Sequence, residues 1–191
     1  MSTFVPVNDV CNLGCTFCGI GRRGPRPDAE VMGRLGRVSG GRVTFGGGEP
    51  TVDERLPGLL EAARERGGEE LVVETNGVRC AEPALVDALV AAGMTGARLM
   101  LPAWEPETWG RITGQPDRLD AAWRGGANLL AAGVKVGVVI PVSRGNVDGL
   151  DALVGAVLER LSGVSSVTFR PVFYSMPREE GAHAQDIRAR A

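Results

Sequence analysis

Lys135-Val136-Gly137-Val138-Val139-Ile140-Pro141-Val142 is a near-continuous apolar run. A strand with one wet face alternates apolar and polar side chains, whereas a run without alternation suits a strand covered on both faces, as in a parallel sheet. Just downstream, Leu150, Leu153, Val154, Val157, Leu158 and Leu161 fall on one helical stripe. That spacing predicts an amphipathic helix over 150–161, with Asp148 placed to cap it. A second β-like run follows at 165–172. Strand, helix and strand within a few tens of residues make the unit of a parallel crossover.

The same alternation runs through the chain. Further strands are predicted at 3–7, 42–45, 70–75 and 97–101. Between them, Leu56, Leu59 and Leu60 mark a helix closed before Gly67-Gly68, and Pro83 and Gly93 bracket another in the usual Pro-first, Gly-last order. A helix over 119–132 ends at Gly133, although Gly125-Gly126 in its middle argues against an unbroken element. A shorter helix falls around 31–35. Alternating strands and helices mean an α/β fold with a parallel sheet. Six strands with about five crossovers make either a curved, incomplete barrel or an open twisted sheet, since eight units typically take about 250 residues.

At 191 residues the chain predicts one domain. Residues 1–175 carry the alternation, and 176–191, with Arg178, Glu179, Glu180 and Asp186, read as a polar tail or short helix. His183, the only histidine, lies in that tail and reads as a solvated residue. With 21 Lys+Arg against 23 Asp+Glu, a formal charge of −2, there is no basic field to attract nucleic acid or an anionic membrane. No segment reaches the ~18 apolar residues of a membrane span. Polar Ser2, Thr3, Asn8 and Asp9 leave no signal-peptide pattern, so a cytoplasmic location without disulfides is expected for the four cysteines.

In parallel α/β folds, ligands gather beyond the carboxyl ends of the strands. After the first strand stands Cys11-Asn12-Leu13-Gly14-Cys15-Thr16-Phe17-Cys18, and after the second Gly46-Gly47-Gly48-Glu49-Pro50-Thr51. Thr75-Asn76-Gly77, Pro102-Ala103-Trp104, Ser143-Arg144 and Phe173-Tyr174 follow the other four. Three cysteines spaced C-x3-C-x2-C can wrap three corners of a cuboidal cluster, whereas structural zinc takes four protein ligands. Such a [4Fe–4S] cluster leaves one iron open to a substrate or cofactor. Three buried thiols acting as small apolar groups would be the plain alternative, but a polar, Gly-containing loop offers them no core. The glycine run permits close backbone approach to a charged small molecule, or simply a tight strand-to-helix turn.

Together these two motifs resemble the core domain of the radical S-adenosylmethionine (radical SAM) superfamily. Cys11, Cys15 and Cys18, with Phe17 before the last cysteine, are similar to that family's cluster motif. Gly47-Gly48-Glu49-Pro50 is similar to its methionine-binding turn. The resemblance implies a parallel (β/α)6 partial TIM barrel and two cofactors, a [4Fe–4S] cluster on the three cysteines and SAM chelating the fourth iron. It implies reductive cleavage of SAM to a 5′-deoxyadenosyl radical that abstracts hydrogen from a substrate, fed by an electron donor such as flavodoxin or ferredoxin. By the same resemblance Gly47, Gly48 and Glu49 hold the methionine end of SAM and Asn76 or Thr75 reaches the methionine or ribose. Arg144, beside Ser143, pairs with the carboxylate, or is a solvated loop charge. Ile140 and Val138 pack on adenine, or are core. Where many relatives carry a serine or aspartate after the fourth strand, this chain has Pro102 and Ala103.

Cys80 reads first as a small core or helix-start residue, and Cys80 and Tyr174 are the candidate hydrogen donors. No further cysteine group serves an auxiliary cluster, so the chain reads as a bare core, with substrate recognition left to the barrel loops, the Arg22/Arg23/Arg26 segment, the tail or another chain, that arginine segment being otherwise a solvated loop. The stretch Trp109-Gly110-Arg111-Ile112-Thr113-Gly114, followed by Ala131-Ala132-Gly133-Val134-Lys135, resembles the branch with peptide maturases and the molybdopterin-precursor cyclase. That favours a peptide or small-metabolite substrate. The alternatives are an activase that installs a glycyl radical on a partner enzyme, and a non-enzymatic iron–sulfur or zinc-binding module.

Overall fold

The structure, a computed structural model, describes residues 2–20 and 24–172. Tyr174, His183, the expected tail at 176–191 and Arg22 and Arg23 lie outside the described residues. Six strands, β1 (Ser2–Asn8), β2 (Arg42–Gly47), β3 (Glu70–Thr75), β4 (Gly96–Met100), β5 (Lys135–Val142) and β6 (Ser166–Pro171), form one sheet in the order β1-β2-β3-β4-β5-β6. Every neighbouring pair is parallel. Each crossover therefore steps one strand in the same direction, the winding of an incomplete barrel rather than of a sheet that reverses at a switch point. The expected single-domain α/β partial barrel is what the chain forms.

Strand alternation divides the sheet into two faces. Val43, Phe45, Leu71, Leu99, Val138 and Ile140 point to the helix side and are fully buried there, among Leu35, Leu60, Leu89 and Leu129 of the helices. Each such side chain contributes about 1.5–3 kcal/mol by leaving water. The other, concave face carries Phe4, Thr44, Glu74, Arg98 and Val139, none of which belongs to that core. Among the described residues, no helix is long and apolar enough to cross a membrane.

Among the described residues six α-helices cover the outside: α1 (Asp28–Leu35), α2 (Leu56–Glu65), α3 (Pro83–Ala91), α4 (Pro106–Thr113), α5 (Leu119–Ala131) and α6 (Leu150–Arg160). Helix α4 was not expected, though Pro106 at its first turn and left-handed Gly114 at its end (φ 71°) are ordinary start and stop signals. Helix α5 runs unbroken through Gly125-Gly126. The reason is packing: a Cβ on Gly125 would sit 1.9 Å from the Gly77 carbonyl oxygen, and one on Gly126 2.7 Å from Leu99. The glycines let α5 press against the turn after β3. Asp148 does not cap α6. It lies in a short 3-10 turn, Val147–Gly149, and Gly149 occupies the cap position with no side-chain bond.

Candidate functional site

The cysteine loop is strapped down on both sides by backbone. On one side Gly48 N donates to Asn8 O and Glu49 N to Val10 O, both at 2.7 Å. On the other, Gly14 N donates to Thr113 O and Thr16 N to Ile112 O, both at 2.8 Å, so the loop satisfies carbonyls at the carboxyl end of α4. The approach on the first side explains the glycines. A Cβ on Gly47 would lie 2.5 Å from Asn8 O and one on Gly48 2.1 Å from Val10 O, and Gly47 has φ +113°.

Within the loop the three thiols influence one another. Burial pushes the Cys15 thiol up to about 12, and the charges of Cys11 and Cys18 add to it. Burial likewise raises Cys11, against two groups that favour its thiolate. Leu13 N donates to Cys11 Sγ at 3.4 Å, and Asn76 Nδ2 reaches the same sulfur at 3.8 Å. Asn76 also donates to Asn12 Oδ1 at 2.7 Å, tying the end of β3 to the loop. Among the described residues, no group of three or more His, Cys, Asp or Glu converges on a single metal ion. A cuboidal cluster asks for something else, one sulfur on each of three separate irons. Three thiols on one loop, with N–H donors aimed at Cys11 Sγ, fit that demand, although the loop does have a core, Cys15 being buried in it with Cys11 and Cys18 packed against it, contrary to what its composition suggested.

Glu49 is 1% exposed. Its carboxylate accepts from Thr51 N (3.1 Å), Thr51 Oγ1 (2.5 Å), Thr75 Oγ1 (2.7 Å) and Asn76 N (2.7 Å). Burial raises its pKa against the lowering effect of these donors. The side chain is thus committed to fastening the glycine turn to the end of β3.

A cavity of about 750 Å³ opens at the carboxyl ends of β4 and β5, walled by Thr16, Phe17, Trp104, Arg111, Ser143 and Arg144 among others. Of the residues expected from the sequence, Phe17, Ser143 and Arg144 line it, together with Pro102 and Ala103. Gly47, Gly48, Glu49 and Asn76 cluster instead beside the cysteine loop, which joins the two regions through Thr16 and Phe17. Ile140 and Val138 do not line the cavity. They are fully buried on the helix side of β5.

Cys80 is 1% exposed, and burial pushes its thiol up to about 12. Its carbonyl accepts from Asn128 Nδ2 of α5 at 3.0 Å, so it sits under that helix rather than on the cavity wall. Two buried asparagines escaped the sequence reading. Asn146 Nδ2 donates to Pro102 O (2.8 Å) and Pro141 O (2.7 Å) while its Oδ1 accepts from Ser143 N (2.8 Å), which locks the loops after β4 and β5 together. Asn8 Nδ2 donates to Glu49 O at 3.2 Å. Asparagine in a loop is too common a turn residue to have marked either.

A family model described as the radical SAM superfamily matches residues 5–153. Among curated proteins, Fe-coproporphyrin III synthase of Methanosarcina barkeri is 30% identical over 151 residues, covering 75% of this chain and 37% of that protein. GTP 3′,8-cyclase of Hydrogenovibrio crunogenus is 27% identical over 184 residues, covering 88% and 54%. The chain thus spans between a third and somewhat over half of the length of these relatives. Native anSMEcpe with bound AdoMet superposes with a TM-score of 0.72 at 18% identity, over 95% of this chain and 54% of that one.

Proposed function

The chain belongs to the radical SAM superfamily, whose members work with a [4Fe–4S] cluster and SAM, and we propose that it generates a carbon-centred radical on a small-molecule substrate. The observation that carries this reading is the cysteine loop, held by backbone bonds between the glycine turn and α4, with its Thr16 and Phe17 on the wall of the cavity. When bound, the cofactors supply one-electron cleavage of the SAM sulfonium to methionine and a 5′-deoxyadenosyl radical, which takes a hydrogen atom from the substrate.

Cys11, Cys15 and Cys18 are the ligands to three irons. Leu13 N–H and the Asn76 amide, both within reach of Cys11 Sγ, stabilise it as a thiolate. The Gly48 and Glu49 amides are spent on Asn8 and Val10. The turn therefore meets the SAM ammonium through carbonyl oxygen rather than through those two amides. Glu49 acts through its grip on Thr51, Thr75 and Asn76, which keeps that turn in register with the cysteine loop. The cavity takes the adenosine, with the Phe17 and Trp104 rings as apolar surfaces and Arg144 beside Ser143 as the fork for a carboxylate. Cys80, under α5, serves packing rather than hydrogen donation.

A small metabolite is favoured over a peptide, and over an activase's protein target, by the relatives named for GTP cyclisation and porphyrin synthesis. The reductant is a small electron carrier of the flavodoxin or ferredoxin kind. The test is anaerobic: reconstitute with iron and sulfide, add dithionite and SAM, and quantify 5′-deoxyadenosine. Product from the parent and none from Cys15→Ala supports the reading. No product from a protein with a verified four-iron cluster overturns it and leaves a metal-binding module.

A further inference from the structure

The concave face of the sheet carries an ion-pair cluster that the cofactor sites do not use. Glu74 of β3 and Arg98 of β4 stand directly opposite in register, with Glu74 Oε1 2.9 Å from Arg98 Nη1. Arg170 of β6 leans over β5 to the same oxygen, 3.7 Å away. Two guanidinium groups thus share one carboxylate. The excess positive charge is not withdrawn from solvent: the side chains of Arg98 and Arg170 are 39% and 58% exposed. The other ion pair on this face, Arg42 with Glu70, lies at the amino-terminal end of the strands and balances itself.

The surroundings leave room for a ligand. Arg98 pairs in register with Gly137 of β5, which presents no side chain, while Arg170 pairs with Pro141, so that on this face Val139 is the one β5 side chain between their positions. On the other flank is Gly46, where a Cβ would lie 3.2 Å from Glu74 Oε2 and 2.7 Å from the Phe4 ring. Phe4 is a large apolar side chain left 49% exposed on this face. Glu74 also immediately precedes Thr75 and Asn76, which bind Glu49 and the cysteine loop. The cluster therefore sits one step below the site of radical generation, at the same end of the barrel.

We propose that Arg98 and Arg170 form the anion-binding end of the substrate site, receiving the carboxylate or phosphate of a small acidic substrate, with Glu74 bridging the two guanidiniums until it arrives. Two exposed forks meeting on one carboxylate suit an oxyanion, because each guanidinium presents paired N–H donors in one plane. Arg170, at the longer distance, swings from Glu74 to the ligand, while Arg98 keeps its shorter bond. The exposed Phe4 ring supplies the apolar flank for the rest of the molecule. This assignment rests on the radical SAM reading for its meaning as a substrate site, but anion binding itself does not need the cofactors.

Isothermal titration of the full chain at low salt, with inorganic pyrophosphate in one arm and succinate in the other, tests it. Saturable one-to-one binding in either arm is expected, and the stronger arm identifies the head group. Arg98→Gln and Arg170→Gln should each weaken it by about ten-fold or more, as loss of one charged fork implies, and Arg42→Gln should leave it unchanged. Arg170→Gln is the variant least able to disturb folding, since its side chain is largely exposed. No saturable binding in either arm, or equal losses in all three variants, overturns the proposal. Binding that behaves as expected in a protein unable to cleave SAM would sink the catalytic reading while leaving this site standing. SAM cleavage without anion binding would do the reverse.

Discussion

Glu49 in the turn after β2 and Asn76 at the end of β3 are joined by a 2.7 Å hydrogen bond from the Asn76 amide to the buried Glu49 carboxylate. Through it the glycine turn, the third strand and, by way of the Asn76 side chain, the cysteine loop become one rigid unit. The four hydrogen bonds to the Glu49 carboxylate all come from donors. Glu49→Gln turns an N–H2 group toward some of those donors, and leaving buried groups unpaired costs about 1–3 kcal/mol. The expected outcome is a lowered denaturant midpoint with an unchanged slope, together with weaker SAM binding by equilibrium dialysis.

Gly48 and Gly155 should respond to alanine in opposite senses. At Gly48 the new Cβ would meet Val10 O at 2.1 Å, forcing the turn off the cysteine loop, and overpacking of this kind costs about 1–3 kcal/mol. Gly155 is exposed within α6 with nothing within 4 Å of the added atom. Removing its backbone freedom there should stabilise the protein by about 0.5–1 kcal/mol. Thermal melts of the two variants against the parent decide both, and a neutral Gly48→Ala would show that the turn is not held as described.

The cysteines should separate by function. Cys15→Ala is expected to lose most of the reconstituted iron and the associated visible absorbance, whereas Cys80→Ala should retain the iron content of the parent. In the folded apoprotein Cys80, with its thiol near 12 and 1% exposed, should resist iodoacetamide at pH 8 until denaturant is added. Rapid labelling of Cys80 would place it nearer solvent than α5 allows.

Asp53 supplies a pH dependence. Hydrogen bonds from Arg55, chiefly from its side chain and also from its backbone N–H, hold the Asp53 carboxyl below its ordinary value of 3.8. A carboxylate whose folded pKa is lowered releases its proton more readily in the folded state, so its stabilisation is complete above the ordinary value and is lost as pH falls below it. Arg55 also donates to Val7 O at 3.2 Å and Arg26 O at 3.1 Å, so acid should loosen the base of the cysteine loop. Asp53→Asn should flatten the stability profile below about pH 4 in acid titrations followed by circular dichroism, while the parent declines there.

Much of this was readable along the chain. The apolar run at 135–142 and the stripe at 150–161 correspond to β5 and α6 within a residue, because burial on two faces and on one face leave different periods in the sequence. The missed α4 shows the limit of that method. Its apolar positions are few, Trp109 and Ile112 chief among them, too short a stripe to set a helical period. The doubt cast on α5 by Gly125-Gly126 came from intrinsic helix preference, which a packing demand across the fold overrode.

Alternation of short strands with helices, and the spacing of Cys11, Cys15 and Cys18 ahead of Gly47-Gly48-Glu49, were determined by the sequence alone, since both are patterns of near neighbours. Tertiary structure alone decided that the Glu49 carboxylate is buried against Thr51, Thr75 and Asn76, that Ile140 turns to the helices, and that Cys80 lies under α5. It also brought Arg98 and Arg170 to one carboxylate across an intervening strand. Side-chain direction and partner identity at those positions depend on strand register and on how tightly the sheet curves, and neither is written in any local stretch of the chain.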